Sequence, residues 1–566
     1  MRFWISLALL LGTLPSPGQD GPSKAVCEVR GVVVRASDDE PLPRAKVKLG
    51  SLTGRRDEGS SERERESTSA EDGSFEFRDL PCGRYALSAE RTGFLRADFG
   101  ERGPDRPGAP LTLTAGEKLR PVKLRLTAAA AITGRVVDAD GEPVSRMQVV
   151  ALRMFRRGGK PQEDSVAFAQ TNDLGEYRLH TLPPARYYVR AGGSEGNGAF
   201  GWSMNFAAPQ AGKPARLVNV PTYFPSATQL EQASPLELKA SDEVRADIQL
   251  QRAAALAIRG RVIGGGKQTQ VIALARESEA KTAQVRPDGS FEIADLIPGE
   301  YVLMAMSPAE GSSDESDWAA VRRAFQQVSV TNSDLEGVTI TLEAAGRFSL
   351  AGKVVSRDPK IDLSKVFIQA AQDDDTVELS ARNYFGLRQP AFARAKRDGT
   401  FVLKNLAPGE YRVGVYEIGR VGGSWYPESV RLGSIDVLTS GFRITNANPQ
   451  GTLEIVLNDA AGSITGTVTD ADGQPLTGVT AVAVPAAPLR KTVNQRRGTT
   501  DQNGRFLLES LRPGQYTVLA VDGSEWTVDF GDADFLARYE SQGKRVTVGE
   551  RQTVSVELRS ITVEPE

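Results

Sequence analysis

An internal repeat constrains this chain more than any other feature. One half-motif reads DGSFEFRDLPCGRYALSAER from Asp72. It returns as DLGEYRLHTLPPARYYVRAG from Asp173, DGSFEIADLIPGEYVLMAM from Asp288, DGTFVLKNLAPGEYRVGVY from Asp398 and QNGRFLLESLRPGQYTVLAV from Gln502. A second half-motif precedes each copy: VRGVVVRASDDEPL at Val29, ITGRVVDADGEPV at Ile132, IRGRVIGGG at Ile258, LAGKVVSRD at Leu350 and ITGTVTDADGQPL at Ile464. Its glycines, Gly31, Gly134, Gly260, Gly352 and Gly466, recur at a mean spacing of about 109 residues, the size of one small domain. Length alone, 566 residues, suggests about four domains; the repeat raises that to five.

Turn chemistry gives the motifs their structure. In ITGTVTDADGQPL, Ile464, Val468 and Leu476 flank Asp-Gly and Pro, as in a strand, a tight turn and a second strand. In DGTFVLKNL, Asp398-Gly399 supplies a turn in which positive φ is tolerated, and Phe401, Leu403 and Leu406 mark a half-buried strand. Pro408-Gly409 makes the next reversal, and Tyr411, Val413 and Val415 alternate beyond it. Each unit closes on another alternating strand: VKLRL from Val122, ADIQL from Ala246, VTITL from Val338, LEIVL from Leu453 and VSVEL from Val554.

Many short strands with turn signals predict an all-β chain, a tandem array of five antiparallel β-sandwich modules. The expected divisions are 27–127, 128–252 (with an insert), 253–344, 345–459 (with an insert) and 460–560. Linkers of a few residues predict a semi-extended rod. Two short helices are expected between the tyrosine strand and the last strand of a module. One runs from Asp317 to Gln327, with Trp318, Val321 and Phe325 on one face; the other runs from Asp534 to Gln542, with Phe535, Leu536 and Tyr539 together.

Residues 1–18 read as a signal peptide. Arg2 is followed by an apolar run from Phe3 through Leu11 and by Ser16-Pro17-Gly18. That run is too short to span a bilayer as a stable helix, and no other segment approaches that length without charges, so no membrane span is expected after signal removal. The expected location is periplasm, cell surface or extracellular medium. In an exported chain the two cysteines, Cys27 and Cys82, read most simply as a disulfide, the alternative being two buried thiols. A net charge of −3 gives no global basic field to recruit nucleic acid, and 40% apolar with 25% charged residues excludes a disordered or fibrous chain.

The run [ILV]-x-G-x-V-x-D-x-x-G-x-P-[LV], followed by D-G-x-F-x-[LIF]-x-x-L-x-P-G-x-Y-x-[LV], resembles the carboxypeptidase regulatory-like domain. In the fifth unit Gly466, Val468, Asp470, Gly473, Pro475, Gly504, Phe506, Leu511, Pro513, Gly514 and Tyr516 match it. In the second, Gly134, Val136, Asp138, Gly141 and Pro143 match, although Ala185 replaces the turn glycine. The third departs most, with Gly264-Gly265-Gly266 in place of the D-x-x-G-x-P turn. The resemblance implies a transthyretin-like (prealbumin-like) β-sandwich of about seven strands, grouped with carbohydrate-binding-like folds, in an exported bacterial repeat protein. It says little about function, because such domains are accessory modules beside many activities.

The inventory of chemistry-bearing residues is thin, and no enzyme, metal or cofactor is expected. His180, in YRLHTL, is the one histidine and reads as a strand residue facing solvent or a sheet edge. One histidine and two paired cysteines leave no usual zinc site and no Ser-His-Asp or Cys-His arrangement. Asp138-Ala-Asp140-Gly141 and Asp470-Ala-Asp472-Gly473 lack the further ligands and distal Glu of a calcium loop and read as hairpin turns. Gly196, Gly198 and Gly201 form GxGxxG, but no helix opens after them, so a flexible loop is expected. The candidate ligand surface is the aromatic content of the inserts: Trp202, Tyr223 and Phe224 in the second unit and Trp425 and Tyr426 in the fourth. Such rings either stack on sugar faces or plug the end of a sandwich. Two readings follow: a structural or adhesive array presenting loops to an envelope or extracellular protein, or a protein that binds polysaccharide through those rings. Exposure of the rings discriminates between them.

Overall fold

The computed structural model describes residues 26–563 apart from 53–63, 104, 158–159, 193–216, 267, 276–279, 308–321, 343–347, 373–390, 407–408, 418–424, 446–450, 488, 490–494 and 524–532. The chain is a tandem series of β-sandwiches. In the first, Ser74–Pro81, Val26–Arg35 and Val122–Leu126 form one sheet, in that order. The facing sheet orders Glu64–Thr68, Lys46–Ser51 and Gly83–Glu90, with Ala97–Asp98 and Leu111–Leu113 completing its edge. The last sandwich repeats the plan with Arg505–Leu511, Gly462–Thr469 and Thr553–Arg559 against Arg496–Thr499, Thr480–Pro485, Gly514–Asp522 and Lys544–Val548.

Alternation decides which face is buried. Val122–Leu126 alternates strictly, with Val122, Leu124 and Leu126 inward and Lys123 and Arg125 outward, as a strand with one wet face must. Apart from a short parallel pair between Gly514–Asp522 and Ile561–Thr562, pairing is antiparallel except for one recurring feature: the closing strand runs parallel to the opening strand. Gly31 faces Val122, Gly260 faces Val338, Gly352 faces Leu453 and Gly466 faces Val556; in the second unit Val244 and Ile248 face Ile132 and Val136. A parallel pair cannot be joined by a hairpin. The closing strand reaches its place only after the chain has crossed to the facing sheet and returned.

The repeated glycine has a packing role at this pair. A Cβ on Gly466 would intrude on the Val556 carbonyl oxygen and lie 2.8 Å from the Phe506 ring. Gly31 meets Phe75 in the same way, Gly134 meets Tyr177, Gly260 meets Phe291 and Gly352 meets Phe401. The glycine of the first half-motif thus makes room for the aromatic ring of the second. Each pair sits in its own buried cluster: Val29, Val33 and Phe77 around the first, Ile132, Val149 and Val189 around the second, and Ile464, Val468 and Val518 around the last.

The tyrosine after the Pro-Gly reversal is locked similarly. Its hydroxyl donates to the carbonyl four residues back: Tyr85 to Pro81 (2.6 Å), Tyr187 to Pro183 (2.8 Å), Tyr301 to Ile297 (2.8 Å) and Tyr516 to Arg512 (2.8 Å). The arrangement is comparable to the tyrosine corners of other β-sandwiches. Burial pushes the Tyr187 and Tyr516 hydroxyls up to about 12, so both remain donors. Tyr516→Phe removes one such bond while leaving the ring in place. The expected loss is about 1 kcal/mol, read as a lower denaturant midpoint with an unchanged slope.

The helical expectation at 317–327 fails over its described part. Arg322–Val330 is a strand paired antiparallel along its whole length with Gly299–Ser307. Phe325 lies opposite Met304 and is 38% exposed, so no apolar helical face exists there; cross-strand pairing outweighs a spacing that fits a helix. Trp318 and Val321 lie outside the described residues. The second helix forms as Ala533–Tyr539, continued by a 3-10 turn at Glu540–Gln542. Leu536 and Tyr539 pack on Val482, Leu519, Val521 and Ile561, covering the outer face of a sheet rather than the sandwich end. Among the described residues no helix is long and apolar enough to cross a membrane.

The rod expectation is corrected by contacts between the first and last sandwiches. Gln502 is hydrogen-bonded twice to the backbone of Thr112, donating to its carbonyl (2.6 Å) and accepting from its amide (3.0 Å). These residues are 390 positions apart. The first and last sandwiches are therefore in contact, which a semi-extended rod does not allow.

Candidate functional site

Disulfide Cys27–Cys82 joins the opening strand of the first sandwich to its Pro-Cys-Gly reversal, with Cα atoms 5.3 Å apart. The strands it links are already paired, with Cys27 opposite Leu80.

The insert aromatics are packed inside. Tyr223 is fully buried on Thr222–Tyr223, a two-residue strand beside Ala185–Ala191. Its ring packs with Val150 and Leu152, the Arg190 guanidinium lies 5.8 Å from its centroid, and its hydroxyl donates to Glu163 (3.2 Å). Phe224 is half-buried against the main core of the same unit. Trp425 (6% exposed) belongs to the core with Leu403, Val430 and Leu457. Tyr426 (5% exposed) begins the strand Tyr426–Leu432, which extends the first sheet by pairing with Leu453–Asn458. Arg512 of the last sandwich stands 5.9 Å over the Tyr426 ring and donates to the Glu428 carbonyl (2.5 Å). The Tyr-Phe-Pro and Trp-Tyr-Pro segments therefore add strands to opposite kinds of sheet. Tyr223, Trp425 and Tyr426 present no ring face to a ligand, which corrects the expectation of a stacking surface at these positions. Trp202 and the GxGxxG glycines lie outside the described residues.

The acidic turns hold cations and amides of the chain itself. Arg252 reaches Asp138 and Asp140, both at 2.8 Å, while Asp138 also accepts the Asp140 and Glu142 amides. Asp470 accepts from the amides of Asp472 and Gln474. Among the described residues no group of three or more His, Cys, Asp or Glu could hold a metal ion. His180 is exposed on Glu176–Leu182 with Nδ1 2.8 Å from the Thr181 hydroxyl.

Two constellations were missed in the sequence. One is a buried hydroxyl: Ser69 bridges the Leu42 carbonyl and Ala45 amide, Thr171 bridges Val144 and Met147, and Thr500 bridges Leu476 and Val479. Its sequence signal was a Ser or Thr shortly before the turn in three units, Ser69 before Asp72-Gly73, Thr171 before Asp173-Leu174-Gly175 and Thr500 before Asn503-Gly504, where the third and fourth units have Val285 and Ala395. The other is the segment after Ala97–Asp98, where the first, second and last sandwiches meet. Asp105 pairs with Arg153 of the second unit (2.5 Å). Arg106 and Arg102 pair with Asp522 of the last, Arg102 at 3.5 Å, and the Asp522 side chain is 10% exposed. Leu95, Phe99, Glu101, Lys123, Pro183, Leu476 and other residues line a cleft of about 760 Å³ at this junction.

Glu101 accepts from the Asp98 amide (2.9 Å). Burial pushes its carboxyl up to about 7; the Asp98 and Asp105 charges add to this, while the Asp98 amide and Arg96 oppose it. A carboxyl raised above its ordinary 4.5 binds a proton in the folded state that the unfolded chain has lost, so its contribution to stability declines as pH rises from 4.5 through about 7. Glu101→Gln mimics the protonated form. The variant is expected to match the wild type near about pH 5 and exceed it near about pH 8, as read by thermal unfolding across that range.

Three stretches, residues 28–127, 131–198 and 463–559, match the carboxypeptidase regulatory-like domain. The glycine, aromatic and tyrosine positions locked above lie within those matched stretches in the first, second and last units. Among curated proteins it is similar to BOS complex subunit NOMO1 of Mus musculus, 25% identical over 277 residues, covering 46% of this chain and 20% of that protein. It is also similar to BOS complex subunit NOMO1 of Homo sapiens, 24% identical over 272 residues with 46% and 20% covered. The chain spans only about a fifth of the length of these relatives. Among solved structures, a streptococcal ancillary pilin aligns at 13% identity and TM-score 0.18, covering 55% of this chain and 100% of that one. A minor pilin of Streptococcus agalactiae aligns at 14% and 0.22, covering 40% and 96%. Scores this low assign no role.

Proposed function

We propose that the chain is a non-catalytic, exported, structural or adhesive protein of five carboxypeptidase regulatory-like modules, divided at 27–127, 128–252, 253–344, 345–459 and 460–560. Residues 1–18 would be its export signal, and an envelope or extracellular protein its partner. One observation carries the reading: the recurring residues are committed to folding. The glycines seat aromatic rings, the tyrosines close reversals, and the turn aspartates bind backbone amides. What differs between units, and can therefore be specific, lies on their outer loops and at their junctions.

Polysaccharide binding through the insert aromatics is the competing reading, and burial of Tyr223, Trp425 and Tyr426 weighs against it. Affinity electrophoresis of the intact protein through gels containing cell-wall or environmental polysaccharides tests the two. No retardation is expected, for the wild type or for a Trp425→Ala, Tyr426→Ala variant. Retardation of the wild type that the folded variant loses would overturn the proposal in favour of sugar binding. Capture of a surface protein by cross-linking on intact cells, lost when outer loops are exchanged, is the positive expectation.

A further inference from the structure

We propose that the first and last sandwiches form an ion-paired closure, a conformational device that switches the array between a folded-back and an extended form. Three independent contacts converge on it. Arg102 and Arg106 of the first sandwich pair with Asp522 of the last. The Gln502 side chain mimics a strand partner by pairing with both backbone groups of Thr112. Backbones also touch: a Cβ on Gly478 would intrude on the Gly100 carbonyl oxygen, and one on Gly100 would lie 2.6 Å from Thr477. The same segment of the first sandwich is tied to the second through Asp105 and Arg153, so one short stretch fixes three sandwiches.

The charges make the closure conditional. Closed, Asp522 is nine-tenths buried and needs its two guanidinium partners, because a buried carboxylate without them is costly. Open, it returns to water at no such cost. The pairs therefore offset a desolvation that exists only in the closed form, and the balance tips with ionic strength, whose screening length falls from about 10 Å at 0.1 M to about 3 Å at 1 M salt. Gln502 and the glycine contacts fix the register but carry no charge.

Small-angle X-ray scattering on the intact exported protein tests this. A module of this size has a radius of gyration of about 13 Å and five packed into one compact body about 24 Å, whereas five in a line give about twice that. At low salt the wild type should lie near the closed value. At 1 M salt it should move toward the extended one, as should Asp522→Arg at low salt. An Arg102→Asp, Arg106→Asp variant, altered only on the loop of the first sandwich, should expand likewise. Combining both sets of changes reverses the charges and should restore the compact form. Far-ultraviolet circular dichroism confirms that each variant is folded. An extended wild type at low salt, or two folded charge variants as compact as the wild type, would overturn the closure.

Discussion

Gly466→Val is expected to unfold the last sandwich at temperatures where the wild type is folded. The new Cβ intrudes on the Val556 carbonyl oxygen and meets the Phe506 ring at 2.8 Å. Neither neighbour can yield: Val556 is held in the parallel ladder opposite Gly466, and Phe506 is buried with Ile464, Val468 and Leu511. Overpacking of this kind costs about 3 kcal/mol, and the branched side chain adds volume to that of the first carbon. Gly514→Ala is the control in the same sandwich. Its Cβ meets nothing nearer than the Arg512 carbonyl oxygen at 4.0 Å, so a small effect is expected. Chemical denaturation followed by circular dichroism should show the Gly466 variant losing one transition to lower denaturant and the Gly514 variant superimposing on the wild type.

Loss of the disulfide is expected to have a comparable effect on the first sandwich. Cys27 and Cys82 close a loop with a sequence separation of 55, which on the chain-entropy account stabilises by about 4 kcal/mol. Cys27→Ala, Cys82→Ala should lower the melting temperature of the first sandwich and leave the others unchanged. Non-reducing peptide mass analysis of exported protein should find the two cysteines in one linked peptide, and free thiols there would contradict the pairing.

Much of the fold was legible because it recurs. The Asp-Gly and Pro-Gly turns, the alternating strands and the closing strands are local patterns that five copies reinforce. The parallel pairing of opening and closing strands was not legible: Gly466 and Val556 are partners across 90 residues, and nothing local marks the direction in which two distant strands meet. Arg322–Val330 misled for the opposite reason, since its local spacing suits a helix while its backbone is taken by Gly299–Ser307.

The candidate site was less legible than the fold. Trp425 and Tyr426 stand out as aromatics in an insert, but a ring on a loop and a ring on an added strand have the same sequence. Only Val430, Leu457 and Arg512 around them show that they are packing residues. The junction residues Arg102, Arg106 and Asp522 lie outside the repeated half-motifs, and Gln502, which opens the fifth copy, has no glutamine counterpart in the other copies, so the repeat does not draw attention to them. A pair separated by 416 positions has no local sequence signal.

The account's central claim is that each pairing of a repeated glycine with its aromatic ring organises one sandwich and that the sandwiches are separate folding units. Hydrogen-exchange mass spectrometry on five single variants of the intact chain, Gly31→Val, Gly134→Val, Gly260→Val, Gly352→Val and Gly466→Val, tests it directly. The account predicts that each variant loses protection in the strands of its own unit, for example Gly462–Thr469, Arg505–Leu511 and Thr553–Arg559 for Gly466→Val, while protection in the strands of the other four persists. Loss of protection throughout the chain from any one variant, or none from several, would contradict it.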